Sequence, residues 1–181
     1  MKLLIGLIEV ACLSILCMAQ PSRPGPQIAK MAVYAGQWSY EGESEPGPSG
    51  PADRYSGYAI GKLILNGFYF EWRWKDRGTT GTQEGFEIIG YDPVHKSYSS
   101  NWFVDDGSSC TGSYRIEATT FAYSGKCIRG GKQYLSRVVE VFAPDLMSFV
   151  QKEEISIDGK TWKPSYESKY IKLRPVPNKQ E

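Results

Sequence analysis

The sequence predicts an all-β fold, an antiparallel up-and-down meander of about ten strands closed into a barrel. Three observations carry this. From Gly36 onward no stretch shows the apolar stripe of a long helix. Short alternating segments recur instead, between turn signals spaced about 8–12 residues apart. Three of those turns can be tested by parity, and each sorts its flanking strands into an apolar and a polar face. A flat sheet of that many strands would leave two long unpaired edges, so closure is the favoured outcome.

The strands are placed at residues 37–44, 54–65, 68–76, 82–91, 97–104, 109–117, 120–128, 133–142, 146–156 and 160–173. The longest break, residues 45–53, is a Pro- and Gly-rich first loop. Asn66-Gly67 is the strongest hairpin signal, because both central positions of a type I′ turn need positive φ. It sets Leu65 opposite Phe68, Leu63 opposite Phe70, Gly61 opposite Trp72 and Ala59 opposite Trp74, an apolar core face. Lys62 with Glu71 and Tyr58 with Lys75 form the water face. Asp158-Gly159 pairs Ile155 with Trp162, Gln151 with Tyr166 and Phe149 with Ser168, an inward face that also carries Glu153.

The third turn, Ala118-Thr119, sets Ile116 against Phe121, Tyr114 against Tyr123, Gly112 against Gly125 and Cys110 against Cys127. A two-residue loop puts the two cysteines on a non-hydrogen-bonded pair, where Cα atoms lie roughly 4.5 Å apart and a disulfide can bridge them. Free buried thiols are the alternative.

The chain has 181 residues, about one domain's worth. Residues 1–19 read as a secretory signal peptide: Lys2, an apolar run from Leu3 to Leu16, then small residues before Gln20. That run is shorter than the roughly 20 residues a membrane-spanning helix needs. A lipoprotein start at Cys12 or Cys17 is the competing reading. Cleavage would leave Cys110 and Cys127 as the even pair expected in an oxidising compartment, secreted or periplasmic. Residues 20–30 form a Pro-rich lead-in, residues 31–174 the barrel and residues 175–181 a polar tail. Within this, residues 27–35 are expected to hold a turn or two of helix.

Composition narrows the function. Lys+Arg 21 against Asp+Glu 20 gives net +1, without the basic excess of a nucleic-acid binder. Arg73, Lys75 and Arg77 form a modest basic stripe, but the nearby tryptophans lie on the opposite face. No later segment is apolar enough to insert stably in a membrane as a helix. His95, the single imidazole, sits in the tight turn Asp92-Pro93-Val94-His95-Lys96 and reads as a solvated residue rather than a haem ligand or a triad member. Asp105, Asp106 and Glu87 offer too few clustered carboxylates for a calcium loop. Gly78–Gly81 and Gly130-Gly131 join strand to strand, whereas a phosphate cradle requires a strand-to-helix turn. The sequence therefore predicts neither a metal nor a cofactor.

What remains is the inward face. Phe70, Trp72, Trp74, Tyr114, Tyr123, Trp162 and Tyr166 share core parity with Gln151 and Glu153. They make either the fully packed interior of an envelope protein with no cavity ligand, or the wall of a cavity holding one small apolar, amphipathic or lipid-like molecule, with Gln151, Glu153 and Tyr166 orienting it. Enzymatic turnover is the less favoured alternative. It would rest on Glu153 and Tyr166 as an acid–base pair, with the carboxyl pKa raised by burial.

The order of several short motifs resembles a known family. Tyr34-Ala35-Gly36-Gln37-Trp38 looks like the leading strand of lipocalin-like proteins. Leu65-Asn66-Gly67-Phe68-Tyr69-Phe70-Glu71, Gly85-Phe86-Glu87-Ile88-Ile89-Gly90-Tyr91-Asp92, Tyr98-Ser99-Ser100-Asn101-Trp102 and Gly112-Ser113-Tyr114 follow it. In that order they are similar to the bacterial family catalogued as domain-of-unknown-function family 1579, over roughly residues 31–173. The resemblance implies a lipocalin-like barrel of the calycin type. It transfers no catalytic residues, and the cysteine pair is not part of its pattern.

Overall fold

The computed structural model describes residues 23–48 and 50–173, so the expected signal peptide lies outside the described residues. Ten antiparallel strands form a closed barrel in simple up-and-down order, the last paired to the first. They are β1 (Gly36–Ser44), β2 (Asp53–Ile64), β3 (Tyr69–Gly78), β4 (Gly81–Asp92), β5 (Ser97–Val104), β6 (Ser109–Glu117), β7 (Thr120–Arg129), β8 (Lys132–Phe142), β9 (Ser148–Ser156) and β10 (Lys163–Lys172). The two-residue period decides which side chains face inward. Along β8, Tyr134, Ser136, Val138, Glu140 and Phe142 are buried while Arg137, Val139 and Val141 face solvent.

The β6–β7 hairpin has the expected register throughout, including Cys110 opposite Cys127. The two cysteines form a disulfide with Cα atoms 4.1 Å apart, and Ala118 takes the positive φ of 51° that the turn demands. Such bonds persist in oxidising compartments. Replacing both cysteines by serine is expected to cost about 3 kcal/mol, the stabilisation typical of closing a loop of this length. A urea midpoint left where it was would show that the staple contributes nothing.

The β2–β3 register is also as expected, from Ala59 opposite Trp74 to Leu63 opposite Phe70. Its tip overhangs the barrel, however. Leu65 and Asn66 both take positive φ, and Leu63 and Leu65 are 41% and 69% exposed, so the apolar face continues past the core.

The β9–β10 hairpin departs from expectation. The Asp158 carboxylate accepts the Lys160 and Thr161 N–H groups at 2.8 and 2.7 Å and the Ser156 hydroxyl at 3.0 Å. These local bonds hold residues 157–162 as a wide loop instead of a two-residue turn. Ile155 therefore pairs with Lys163, not Trp162. A bulge between Pro164 and Tyr166 then shifts the register by one more, so Tyr166 faces Glu153 and Ser168 faces Gln151. The two slips together preserve parity, and Ser168 and Tyr170 remain buried as inward residues.

The two barrel ends differ. At the end where β1 begins, α1 (Pro26–Ala29) runs into a 3-10 turn (Lys30–Tyr34), burying Ile28, Met31 and Tyr34. Such a short helix leaves carbonyls unpaired. The Trp38 indole N–H donates to the Tyr34 carbonyl at 2.8 Å, the Lys172 ammonium to Val33 at 3.0 Å and the Tyr98 hydroxyl to Gln27 at 2.8 Å. The helix is thereby fixed as a plug.

Candidate functional site

The inward side chains form two layers. Against the plug, the Tyr34 ring lies 4.9 Å from Phe142, 5.0 Å from Phe121, 5.5 Å from Phe149 and 6.1 Å from Phe70 between centroids. Trp38 and Phe70 are fully buried here, and this layer is packed solid. Toward the other end, ringed by the β1–β2, β3–β4, β5–β6, β7–β8 and β9–β10 loops, the interior opens into a cavity of about 420 Å³. That volume suits a small-molecule site. Glycine helps to create it: a Cβ at Gly85 would overlap the Trp74 indole, and one at Gly125 the Tyr123 phenol. Each ring takes up the space that a side chain at the glycine would need.

Trp72, Trp74, Tyr114, Tyr123, Gln151, Glu153 and Tyr166 all line this cavity. Phe70 does not; it belongs to the packed layer beneath. Trp162 is a correction. Displaced by the wide Asp158 loop, it stacks on the outer surface, where the Arg137 guanidinium lies 4.3 Å from its ring. His95 is solvated and paired with Asp92 at 2.5 Å. Asp106 is held by Arg129 at 2.8 Å and by the Ser108 N–H at 2.8 Å, in the manner of a turn. Among the described residues no metal-type ligand cluster forms.

Two further buried carboxyls belong to this interior: Glu87, which the sequence offered only as a cation ligand, and Glu140, which it did not single out. Glu87 on β4 lines the cavity, with Trp72 and Trp102 as its cross-strand neighbours. It accepts a hydrogen bond from Ser100 and another from the Tyr114 hydroxyl at 3.1 Å. Glu140 on β8 lies deeper, accepting from Tyr34 and from the Gln151 amide at 2.6 Å. Parity could have found both. Counting back from Thr79-Thr80 and from Gly130-Gly131 turns each glutamate inward. Tyr40, Tyr55, Trp102, Tyr134 and Tyr170 complete the aromatic wall.

These acids are partnered by hydroxyls and an amide rather than by cations. Burial raises Glu87 to about 6, against the downward pull of its Ser100 and Tyr114 bonds. Burial raises Glu140 to about 7, and the nearby Glu87 charge adds to the rise. Burial also raises Glu153, while Ser136, which donates to it at 2.5 Å, pulls the other way. The phenols of Tyr34, Tyr114 and Tyr166 are pushed well above their usual value by burial and then by neighbouring acid charge, and that of Tyr170 by burial and then by Tyr55, so they stay protonated donors. The Tyr123 hydroxyl is buried and makes no hydrogen bond of ordinary geometry, although the Trp102 indole is near enough to interact with it.

A closed meander with one plugged end and one open, aromatic-lined end defines a lipocalin-like barrel. The chain belongs to the family described as protein of unknown function (DUF1579), which matches residues 23–172. The crystal structure of Rv2717c from M. tuberculosis is similar in fold, with TM-score 0.60 and 8% identity, covering 83% of this chain and 99% of that one. So is an S-type phycobiliprotein lyase from Guillardia theta, with TM-score 0.58 and 9% identity over 82% of this chain and 93% of that one. A de novo designed fluorescence-activating β-barrel matches more loosely, with TM-score 0.40 and 14% identity over 79% and 96% of the two chains. No curated protein matches in sequence.

Proposed function

We propose that this protein is an exported binding module that holds one small amphipathic molecule in the open half of its barrel. The carrying observation is the division of the interior. One half is packed around Tyr34, while the other keeps a cavity of about 420 Å³ walled by aromatic rings and a few buried polar groups. Burying the apolar part of a ligand there gains roughly 25 cal/mol per Å², and convergent polar groups orient it. The Cys110–Cys127 disulfide supports the exported, periplasmic or secreted, reading. Turnover at Glu153 and Tyr166 is less favoured. The two face each other across β9 and β10, but serine hydroxyls already occupy the carboxyl and burial holds the phenol protonated.

Trp72, Trp74 and Trp102 line the cavity, so an occupant must perturb tryptophan emission. The neutral fluorophore N-phenylnaphthylamine is expected to bind saturably and to accept energy from these tryptophans. Val138→Trp and Ser168→Phe, both at cavity-lining positions, should each weaken it by about tenfold or more, equivalent to ~1.4 kcal/mol. A protein that binds no probe, or binds it equally well in both folded variants, would overturn the proposal.

A further inference from the structure

We infer that the cavity selects an organic ammonium, seated on the Glu87 carboxylate and enclosed by the rings of Trp72, Trp74, Trp102, Tyr114 and Tyr123. The inference rests on the binding reading above and names the chemistry of the occupant's head group.

Charge is the first ground. Among the described residues that line the cavity, Asp53, Asp76, Glu87, Asp105, Asp106 and Glu153 are acidic and Arg129 is the only base. Arg129 is already engaged by Asp106 at 2.8 Å. Glu87 and Glu153 are 8% and 6% exposed and have only neutral hydrogen-bond donors, and of the two only Glu153 feels the Arg129 charge, which leaves Glu87 as the buried carboxylate without a cation. A buried carboxylate without a cationic partner is costly. An anionic head group would add to that cost, and a neutral one would leave it in place. A cation removes it.

The second ground is the disposition of the rings. Trp72 and Trp102 flank Glu87 on the neighbouring strands, and Trp74 meets Trp102 edge to face at 6.5 Å. Tyr114 donates to Glu87 and lies 5.3 Å from Tyr123. Ring faces around a carboxylate attract a cation through their quadrupoles, and the effect grows where water is excluded.

The test compares octylammonium, octanol and octanoate as competitors of bound N-phenylnaphthylamine on the full mature chain at pH 8, where Glu87 is ionised because its pKa lies at about 6. Octylammonium is expected to bind about tenfold tighter than octanol, and octanoate more weakly than either. Glu87→Gln should bring octylammonium to within about twofold of octanol while leaving octanol unchanged. Equal affinity for octylammonium and octanol on the unaltered protein would overturn the inference, whether or not the variant folds. So would a series in which no member displaces a fluorophore that does bind, and in both cases the binding module would stand. Failure of the fluorophore and of all three competitors to bind would overturn both.

Discussion

Tyr34→Ala is expected to destabilise the barrel by about 3–5 kcal/mol, the range for removing a fully buried aromatic side chain. The ring is 5% exposed and touches aromatic side chains of β3, β7, β8 and β9 at once. Few of these neighbours can collapse into the space it vacates, because they are already packed on one another, as Phe142 and Phe149 are at 4.7 Å. Tyr34→Phe separates the polar part. It keeps the ring and removes only the hydroxyl that donates to Glu140, leaving that carboxyl with the Gln151 amide. A lost bond to a buried polar group costs about 1–3 kcal/mol, so the Phe variant should fall between the parent and the Ala variant. Urea unfolding of the three proteins measures both steps. An Ala variant unfolding at the parent's midpoint would mean that the plug merely rests on the barrel.

The plug shows where sequence reasoning reached its limit. A helical turn before β1 was legible, but not that Met31 and Tyr34 would fold back into the barrel end, because that depends on carbonyls being captured by Trp38, Tyr98 and Lys172 from distant strands. The strands and two hairpin registers were legible because period-two alternation and turn chemistry are local. The Cys110–Cys127 pairing followed from counting outward from Ala118-Thr119. The same counting failed from Asp158, whose side chain bonds its own loop and widens it, and so Trp162 ended on the outside. The cavity itself was not legible. Its shape depends on Trp74 and Tyr123 packing closely against Gly85 and Gly125, a matter of rotamer and close approach that parity does not contain.

The protein is expected to be more stable near pH 5 than near pH 8, and Glu140→Gln should remove much of the difference. Glu140 and Glu87 have folded-state pKa values raised from 4.5 to about 7 and about 6 by burial. In the unfolded chain both ionise near 4.5. Between these limits the folded state holds more protons than the unfolded one, so stability falls as pH rises and levels off above the folded values. Each tenfold change in proton affinity on folding is worth roughly 1.4 kcal/mol, so the two acids together cost the folded state a few kcal/mol by pH 8.

Opposing groups act in a different window. Asp53 and Asp92, partly exposed, and Asp158, exposed, have carboxyl pKa values lowered by hydrogen bonds, led by Thr79 for the first, His95 for the second and the Thr161 N–H for the third. Their stabilisation is complete above the ordinary carboxylate range and is lost only as pH falls below it. His95, raised by Asp92, has the same sign as the buried acids, but the pair is solvated and contributes little. Stability should therefore peak near pH 5. The Gln variant keeps the shape of the Glu140 side chain and removes its charge; its carbonyl oxygen can still accept from the Gln151 amide, while its NH2 replaces the oxygen to which Tyr34 donates. Its melting temperature should exceed the parent's at pH 8 and match or fall below it at pH 5. A parent protein whose melting temperature rises from pH 5 to pH 8 would contradict the burial of these two acids as uncompensated carboxyls. It would also remove the charge deficit on which selection of a cation depends.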